Sequence, residues 1–376
     1  MKLKIKKDLL LENLNKVSKA IATKDLIPTL AGIKFDLDKK GLTLTASNND
    51  ITIQKFIPID KKSINVEKEG VVILHGKDIV EIIRVIPAEE INIEVFDETK
   101  VLIYTDDESI KYDLNVINKN DYPNINLEKS ENFITITTKD LLSIVKETAF
   151  ATSNDTSREV LTGISFKING DLLECVATDS YRLARKNLRL DKTVEENYNL
   201  IIPGKNIIEF SRILDSSEEE VKLHVFNNKI LFESNDLLFQ SRLINGNYPP
   251  TNKSIPEEFS LTITGNLSQL YNVIEQASIL TTDKEKNIVS LSTKGDLLTV
   301  KSVSNEKGKA EMKMNIKKNN KEDITIAFSA KYMMDALNAL STEEVEMSFV
   351  GEVKPIVIKN TKDDGLLQLV VPIRTY

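Results

Sequence analysis

The chain has 376 residues, of which 41% are hydrophobic, and its 50 basic and 57 acidic side chains give a formal net charge of −7. This length and composition exclude a disordered protein and predict one large core or several cores of about 100 to 150 residues. The acidic balance argues against a protein that binds nucleic acid through its overall field. Any basic surface therefore has to be local.

The sequence carries no sign of secretion or membrane insertion. Its first residues, Met1–Ile5, alternate like a strand and lack the apolar core of a signal peptide, and no apolar run is long enough to span a bilayer. Cys175 is the only cysteine, so a disulfide within the chain is impossible and a reducing compartment is favoured. We therefore predict a cytoplasmic protein with no membrane association.

Taken in order, the chain begins with a strand at residues 2–6 and a helix from Lys7 to about Ile21. A glycine and a strand follow at residues 32–35, and Lys40-Gly41 forms a turn before another strand. The same order of elements then returns twice. Equivalent segments lie at residues 133–142, 163–170 and 261–267.

The most informative repeated element is a helix with one charged face. Over residues 76–86, apolar side chains recur at the three-and-four spacing of a buried helical stripe, and Pro87 ends the run. Lys77, Glu81 and Arg84 share the opposite face. The same offsets hold Lys205, Glu209 and Arg212, shifted by 128 residues, and then Lys331, Asp335 and Asn338, shifted by a further 126.

For a single helix, the ordinary explanation of such a face is solvation with ion pairs between residues one turn apart. Three copies instead indicate three equivalent positions that face a shared feature. The dipeptides Tyr122-Pro123 and Tyr248-Pro249 end the first two copies. We predict three similar α+β domains, at residues 1–127, 128–255 and 256–376, each with antiparallel sheets packed on two helices.

The sequence shows no convincing catalytic or metal site. Gly76-Lys77 follows an apolar strand like a phosphate loop, but the spacing from Gly70 is one residue too long and Asp78 replaces the expected Ser or Thr. The two histidines, His75 and His224, each lie within a strand-like segment and give no basis for a triad or a histidine metal site. We predict a protein that is not an enzyme and requires no cofactor or metal.

The most distinctive stretch is Val176-Ala177-Thr178-Asp179-Ser180-Tyr181-Arg182-Leu183-Ala184. With it, the chain resembles the DNA polymerase III beta subunit, the bacterial sliding clamp. The resemblance covers the full length. Its other signs are Gly246-Asn247-Tyr248-Pro249, Lys331-Tyr332 with Asp335-Ala336-Leu337-Asn338-Ala339-Leu340, and Val371-Pro372-Ile373-Arg374. The resemblance implies a processivity factor, a ring of two head-to-tail subunits that encloses double-stranded DNA without reading its sequence.

The resemblance also implies the surfaces of the ring. Helices would line the hole, and a sparsely basic lining suits sliding because each phosphate contact strengthens binding and adds drag. Tyr112 and Leu114 of one subunit would meet Ile279 and Leu280 of the other. The side chains expected to face DNA are Lys77, Arg84, Lys205, Arg212 and Lys331, with Lys16, Lys19, Lys139 and Lys146 from the first helix of each of the first two domains.

In the family, a groove between the second and third domains binds short peptide motifs of the DNA polymerase III alpha subunit, the clamp loader, repair polymerases and ligase. An apolar lining with a few directional polar groups suits the anchoring of a Leu or Phe side chain. The alternative is that leucines such as Leu161, Leu183 and Leu369 are simply core. The matching residues are Leu161, Thr178, Tyr181, Arg182, Leu183, Pro249, Lys253, Tyr332, Val353, Pro355, Leu369, Val371, Pro372, Ile373 and Arg374.

This chain departs from the usual pattern of the groove at several positions. Tyr181 replaces a common histidine, Lys253 replaces an arginine, and Ser329 stands where asparagine is frequent. Val371 and Ile373 replace methionines, and the chain continues through Thr375-Tyr376. Because these side chains are stiffer than methionine, the range of partner peptides is expected to be narrower.

Two other classes of function stay open from the residues alone. An enzyme on a repeated scaffold would need a cleft with convergent titratable groups, which the sequence does not show. A dimeric protein that binds peptides but not DNA would lack salt-sensitive retention on closed circular DNA, and that property separates it from a clamp.

Overall fold

The computed structural model describes residues 1–22, 27–60, 62–97, 99–281, 287–304 and 306–374. These residues form two compact units, one made of residues 1–138 with 209–243 and the other of residues 139–208 with 244–376. Among them, no helix combines the length and the apolar composition that a membrane crossing requires.

The first repeat opens with a strand that leads directly into a helix, as predicted. A short 3₁₀ turn at Ser18–Ala20 extends that helix, and another lies at Pro28–Ala31. Its elements are β1 (Lys2–Lys6), α1 (Lys7–Val17), β2 (Gly32–Leu37), β3 (Gly41–Ser47), β4 (Ile51–Pro58), β5 (Ile64–Lys68), β6 (Gly70–His75), α2 (Gly76–Val85), β7 (Glu90–Val95), β8 (Lys100–Tyr104) and β9 (Lys111–Asn115).

The second repeat has the same order, but neighbouring strands merge into two long ones. The 3₁₀ segments Ala149–Ala151 and Thr156–Thr162 follow its first helix. Its elements are β10 (Ile134–Thr137), α3 (Thr138–Thr148), β11 (Gly163–Thr178), β12 (Arg182–Pro203), α4 (Gly204–Ile213), β13 (Glu220–Val225), β14 (Lys229–Ser234) and β15 (Leu237–Arg242).

The third repeat follows a 3₁₀ turn at Asn252–Ser254. Its elements are β16 (Leu261–Asn266), α5 (Leu267–Ser278), β17 (Ile288–Lys294), β18 (Leu297–Ser304), β19 (Gly308–Asn315), β20 (Lys317–Lys318), β21 (Thr325–Ser329), α6 (Ala330–Ala339), β22 (Glu344–Phe349), β23 (Ile356–Asn360) and β24 (Asp363–Val370). The α+β class and the antiparallel sheets predicted from the sequence are confirmed.

The sheets do not respect the repeats, which the sequence did not predict. The first unit contains the strand orders β5-β1-β7-β8-β9 and β10-β13-β14-β15-β4-β3-β2-β6. The second unit contains β11-β12-β24-β23-β22-β16-β20 and β19-β18-β17-β21. The middle repeat thus pairs with the first through β4–β15, the first junction, and with the third through β12–β24, the second junction.

The repeated helix is fixed by burial on one face and by a close approach at its start. Ile79 and Ile83 of α2 are completely buried. A Cβ atom at Gly76 would lie 2.3 Å from Ile21, and one at Gly204, which begins α4, would lie 2.9 Å from Thr152. In the first two copies, the glycine before the lysine therefore lies in close packing, which is a different role from a phosphate loop; in the third copy Ala330 takes this position.

Candidate functional site

The second junction contains a cavity of about 700 Å³, here called the groove. Its apolar floor is formed by Leu183 and Leu369, which belong to a buried cluster with Val176. Leu183 and Leu369 lie directly opposite each other in the β12–β24 pairing. Since Val176 and Leu183 belong to the second repeat and Leu369 to the third, the floor exists only because the two repeats pair there.

A tight turn between β11 and β12 positions one wall of the groove. The carboxylate of Asp179 accepts the N–H groups of Tyr181 and Arg182, both at 2.9 Å, while the Thr178 hydroxyl donates to the Arg182 carbonyl at 2.6 Å. Ser180 lies at φ 76°, a backbone conformation that non-glycine residues rarely adopt. The turn presents the Tyr181 ring outward, 60% exposed.

Arg182 links the turn to helix α6 and is itself 7% exposed. Its Nε donates to Asp179 at 3.0 Å and its Nη1 to Asp335 at 2.5 Å. The guanidinium carbon also lies 4.6 Å from the ring centroid of Tyr332 and 5.5 Å from that of Phe150. With its charge compensated inside the protein, Arg182 acts as a positioning group.

The Tyr332 ring connects this buried network to the exposed rim. It stacks on Tyr181 with centroids 6.1 Å apart and planes inclined by 20°. Burial raises the pKa of Tyr332, and the nearby carboxylate of Asp179 raises it further. The phenol therefore stays neutral and provides an aromatic surface beside the groove.

The opposite wall is the proline-rich segment 249–256. Its direction is fixed by Tyr248, whose hydroxyl oxygen accepts the N–H of Thr178 at 3.0 Å. Burial raises the pKa of the Tyr248 phenol. This hydrogen bond holds the segment against the end of β11, and Ile255 then packs on the apolar floor.

The structure brings most of the predicted groove residues together. Those that line the groove are Leu161, Thr178, Arg182, Leu183, Pro249, Lys253, Pro355, Leu369 and Val371. Tyr181 and Tyr332 line an adjoining cavity of about 700 Å³, which shares Leu161 and Arg182 with the groove. The two cavities together therefore account for eleven of the predicted side chains.

The remaining predicted groove residues do not line either of these cavities within the described ranges. Val353 is 56% exposed in the turn before β23. The N–H of Ile373 donates to Ala327 at 2.7 Å, which places Pro372, Ile373 and Arg374 beside β21. Thr375 and Tyr376 lie outside the described residues.

Sequence reasoning missed several contributors to the groove. The clearest sequence signal for them was the proline-rich segment 249–256, since clustered prolines indicate a loop with a fixed backbone direction. Phe150 carried no signal, because its contact with Arg182 depends on the tertiary fold. The missed lining residues are Arg158, Ser180, Pro250, Thr251, Ser254, Ile255, Pro256, Glu257, Glu258, Val350 and Lys354.

The predicted DNA-facing side chains all lie on helices or on the turn after α1, and they are exposed except for half-buried Lys16. In the first unit these are Lys16, Lys19, Lys77, Arg84 and Arg212, and in the second unit Lys139, Lys146, Lys205 and Lys331.

Several of these basic groups carry an acidic neighbour on the same helix. Arg84 pairs with Glu81 and Arg212 with Glu209, each at 2.5 Å and three residues apart. Lys16 pairs with Glu12 at 2.9 Å. In the third copy the pattern breaks, because Asp335 turns to Arg182. Three of the nine predicted basic groups are therefore partly neutralised by an acid on their own helix.

The predicted subunit-contact residues lie on a sheet edge and a helix end. Tyr112 and Leu114 are half-buried on β9, the last strand of its sheet in the first unit. Ile279, directly after α5 in the second unit, is 69% exposed, and the following Leu280 is half-buried. Within the described residues, no group of three or more His, Cys, Asp or Glu is arranged to hold a metal ion.

Comparison with known proteins gives consistent matches over the chain. Sequence models of the N-terminal, central and C-terminal domains of the DNA polymerase III beta subunit match residues 1–126, 135–250 and 252–374. The chain is 35% identical over 380 residues to the beta sliding clamp of Bacillus subtilis (strain 168), covering 100% of both, and 35% identical over 379 residues to that of Staphylococcus aureus, again covering 100% of both.

Solved structures agree with the sequence matches. The crystal structure of the DNA polymerase sliding clamp from Bacillus subtilis superimposes with a TM-score of 0.94 at 35% identity, covering 100% of both chains. The DNA polymerase III beta chain of Streptococcus pneumoniae TIGR4 gives a TM-score of 0.94 at 31% identity with the same coverage.

Proposed function

Because this chain belongs to the DNA polymerase III beta subunit family and is a DNA sliding clamp, we propose that two copies close head to tail around duplex DNA and bind partner proteins through the groove. Its three clamp domains would span residues 1–127, 128–255 and 256–376. The protein would act in the cytoplasm as a processivity factor without a catalytic site of its own.

The pairing of the repeats carries the proposal of a closed dimer. The last strand of the second repeat, β15, pairs with the fourth strand of the first, β4. The last strand of the third repeat, β24, pairs with the start of β12, which is the fourth-strand position of the second repeat. By the same rule, the last strand of the first repeat, β9, would pair with β19, the fourth strand of the third repeat.

In the described part of the chain, both β9 and β19 end their sheets. A sheet edge with unpaired backbone groups is a template for another strand, and a head-to-tail contact between two copies would satisfy both edges twice. Tyr112 and Leu114 would then lie on the contacting strand, and exposed Ile279 would gain an apolar neighbour from the other copy.

Charges on the proposed partner strands favour a specific contact. Glu311 of β19 accepts hydrogen bonds from Lys301 and Lys313, which lower the pKa of its carboxyl to about 2. On β9, Lys111 and Asp113 are exposed. Alternating charges on an edge strand disfavour random pairing and select a partner whose charges match.

The DNA contact would be loose and independent of base sequence. The basic helical side chains supply positive charge, while Glu12, Glu81 and Glu209 reduce it. Fewer neutralised phosphates mean weaker binding and less salt dependence. Retention would therefore come from enclosure, which permits sliding.

The groove would hold short peptide motifs of the DNA polymerase III alpha subunit, the clamp loader, repair polymerases and ligase. Its floor of Leu183 and Leu369, supported by Val176, offers an apolar site for a Leu or Phe anchor. The stacked Tyr181–Tyr332 pair beside it offers a flat surface for the residue before that anchor.

The oligomeric state tests this proposal directly. Light scattering at micromolar concentration should give a dimer, and Ile279→Asp, which adds a charge at the proposed contact, should give a monomer. Val353→Asp is the matched control, because Val353 is comparably exposed but is not among the proposed contact residues. A wild-type protein that is monomeric at this concentration would refute the dimer.

A further inference from the structure

Two adjoining cavities, of about 510 and 240 Å³, lie along strand β6 in the first unit. They share Val71, Ile73 and Lys119, so they form one continuous cleft, here called the β6 cleft. Phe96, which is 79% exposed, lines its larger part, and Tyr122 lines its smaller part. The lining mixes apolar side chains with polar ones, Gln54 and Asn118 among them, and a large aromatic ring is left in solvent at one end.

The same backbone element occurs in all three repeats. In the first, the N–H of Ile117 donates to the carbonyl of Ile73 at 2.9 Å. The equivalent bonds join Ile244 to Ile201 at 2.9 Å and Ile373 to Ala327 at 2.7 Å. The repeats therefore provide an internal control for what the fold requires at each position.

Comparison of the three repeats shows that the fold does not require exposed apolar side chains at both Val71 and Phe96. The position of Val71, two residues before this bond, is held by Asn199 in the second repeat and by Thr325 in the third. The position of Phe96, just after a strand, is held in the second repeat by Phe226, which is half-buried beneath the ammonium of Lys229 at 5.2 Å. At the same position in the third repeat, after β22, lies Val350, which is also exposed, so only the first repeat combines exposed apolar side chains at both positions.

The backbone of β6 adds directional groups to this surface. β6 is the last strand of the eight-stranded sheet, and the carbonyl of Ile73 points away from β2 toward Ile117. Since backbone groups alternate in direction along an antiparallel strand, the N–H and C=O of Val71 point the same way as those of Ile73. Outward groups on an edge strand are the ones that an added peptide strand uses.

The charges that border the β6 cleft are mainly positive. Lys68 and Lys119 line it, and among the described residues neither has an acidic group within ion-pair distance. Asp97, the acidic residue next to Phe96 in the larger part of the cleft, already accepts the N–H and the hydroxyl of Thr99, each at 2.7 Å. Such a surface complements an acidic ligand.

We propose that the β6 cleft docks an extended segment of a partner protein, in which an apolar side chain is flanked by carboxylates. The segment adds to the edge of β6 at Val71, its apolar side chain packs against Phe96, and its carboxylates face Lys68 and Lys119. This site is separate from the groove, and it uses only residues of the first repeat.

The test is fluorescence anisotropy with the full-length protein and a labelled peptide, Glu-Asp-Leu-Glu-Phe-Glu-Asp. Saturable binding is expected, at least tenfold tighter than for the same peptide with Lys at each acidic position. Val71→Asn, which copies the residue of the second repeat, should weaken binding at least tenfold, as should Phe96→Ser. Lys68→Glu with Lys119→Glu should abolish it, and the groove variant Leu183→Ala should leave it unchanged.

Several outcomes would overturn the proposal. They are no binding of the acidic peptide at millimolar concentration, equal binding of the basic peptide, and unchanged binding by Val71→Asn. Light scattering on Val71→Asn provides a further check, because a change of oligomeric state would assign the β6 cleft to a contact between copies. Circular dichroism confirms that each variant is folded.

Discussion

The two junctions between repeats have the same backbone design. In the first, Asn48 accepts the N–H of Ile51 at 2.8 Å before β4, and in the second, Asp179 accepts the N–H of Arg182 at 2.9 Å before β12. The fourth strand then pairs antiparallel with the last strand of the following repeat in the same relative register. Any difference between the junctions therefore comes from side chains.

On the sheet face that carries the groove at the second junction, the first junction has a cluster of polar side chains instead. The positions of Val176, Leu183 and Leu369 are held at the first junction by Thr45, Thr52 and Gln240. Thr52 shares a 2.7 Å hydrogen bond with Ser47, and Gln54 donates to Thr45 at 3.1 Å. Four of these polar side chains thus hydrogen-bond in pairs, whereas the apolar floor of the second junction is available to an apolar ligand.

On the helix-facing side, the difference lies in two equivalent lysines. Burial lowers the pKa of Lys55, on β4, against the opposing effect of Asp236. Burial also disfavours the charge of Lys186, on β12, but hydrogen bonds to Asp363 and Glu147 outweigh it and raise the pKa. The helix position of Glu147 is held in α1 by Lys16. Asp363 and Glu147 together thus stabilise the charge of Lys186, whereas Lys16, at the helix position of Glu147, opposes the charge of Lys55.

The largest expected effect concerns this lysine pair. Lys186→Met should lower the free energy of unfolding by about 3 to 5 kcal/mol, because it leaves Glu147, with a 7% exposed side chain, as a buried charge without its partner. The matched change Lys55→Met should alter stability by no more than about 0.5 kcal/mol or raise it slightly. Urea denaturation measures both, and equal losses would show that the junctions do not differ in this way.

The next effect concerns the groove. Replacing Leu183 and Leu369 by the residues of the first junction, as Leu183→Thr with Leu369→Gln, should weaken a Gln-Leu-x-Leu-Phe peptide at least about thirtyfold, since a lost apolar anchor commonly costs about 2 kcal/mol. The reverse exchange at the first junction, Thr52→Leu with Gln240→Leu, should leave binding unchanged. Isothermal calorimetry on folded variants distinguishes them, and unchanged affinity in the first variant would exclude the groove as the peptide site.

A smaller effect separates the two Tyr-Pro turns. Tyr248 accepts the N–H of Thr178, whereas the Tyr122 hydroxyl is buried without a hydrogen-bond partner among the described residues, and burial raises the pKa of Tyr122 to about 12. Tyr248→Phe should cost about 1 to 2 kcal/mol of unfolding free energy, and Tyr122→Phe close to zero. If Tyr122→Phe destabilises the protein as much as Tyr248→Phe, the hydrogen bond of Tyr248 does not account for a difference between the two turns.

The smallest effect is a pH dependence, predicted in direction only. Lys186 has a folded pKa above the unfolded value of 10.5, so its stabilisation is complete below that pH and is lost as pH rises through the folded pKa. Lys55 has a folded pKa below that value, so its unfavourable contribution disappears as pH rises toward 10.5. The stability difference between wild type and Lys186→Met should therefore shrink as pH rises above 10.5, whereas the smaller difference for Lys55→Met should already approach zero as pH rises toward 10.5.

The sequence predicted those features that depend on local pattern. The charged helices α2, α4 and α6, the strand before each first helix and the repeated Tyr-Pro turns all follow from spacing along the chain. The junctions could not be predicted in this way, because β4 and β15 pair although residues 59–236 separate them in the chain. For the same reason, the sequence placed Asp335 on the charged face of its helix but gave no indication of its contact with Arg182.

The candidate site was predictable to a different extent in each part. The apolar floor and the turn at residues 178–183 were found through family resemblance, since a leucine in a strand is otherwise read as core. The wall at residues 249–256 and the ring of Phe150 depend on how the second and third repeats pair. Residues that only a tertiary contact makes functional carry no signal in local sequence.

The measurement that tests the central claim most directly is retention on DNA of defined topology. The protein is loaded by a matching clamp loader onto nicked circular DNA, washed, and followed after the circle is cut once. Enclosure predicts stable binding to the circle, rapid loss after linearisation, and weaker loading for Lys77→Glu with Lys205→Glu. Equal retention on circular and linear DNA with free ends would contradict the account.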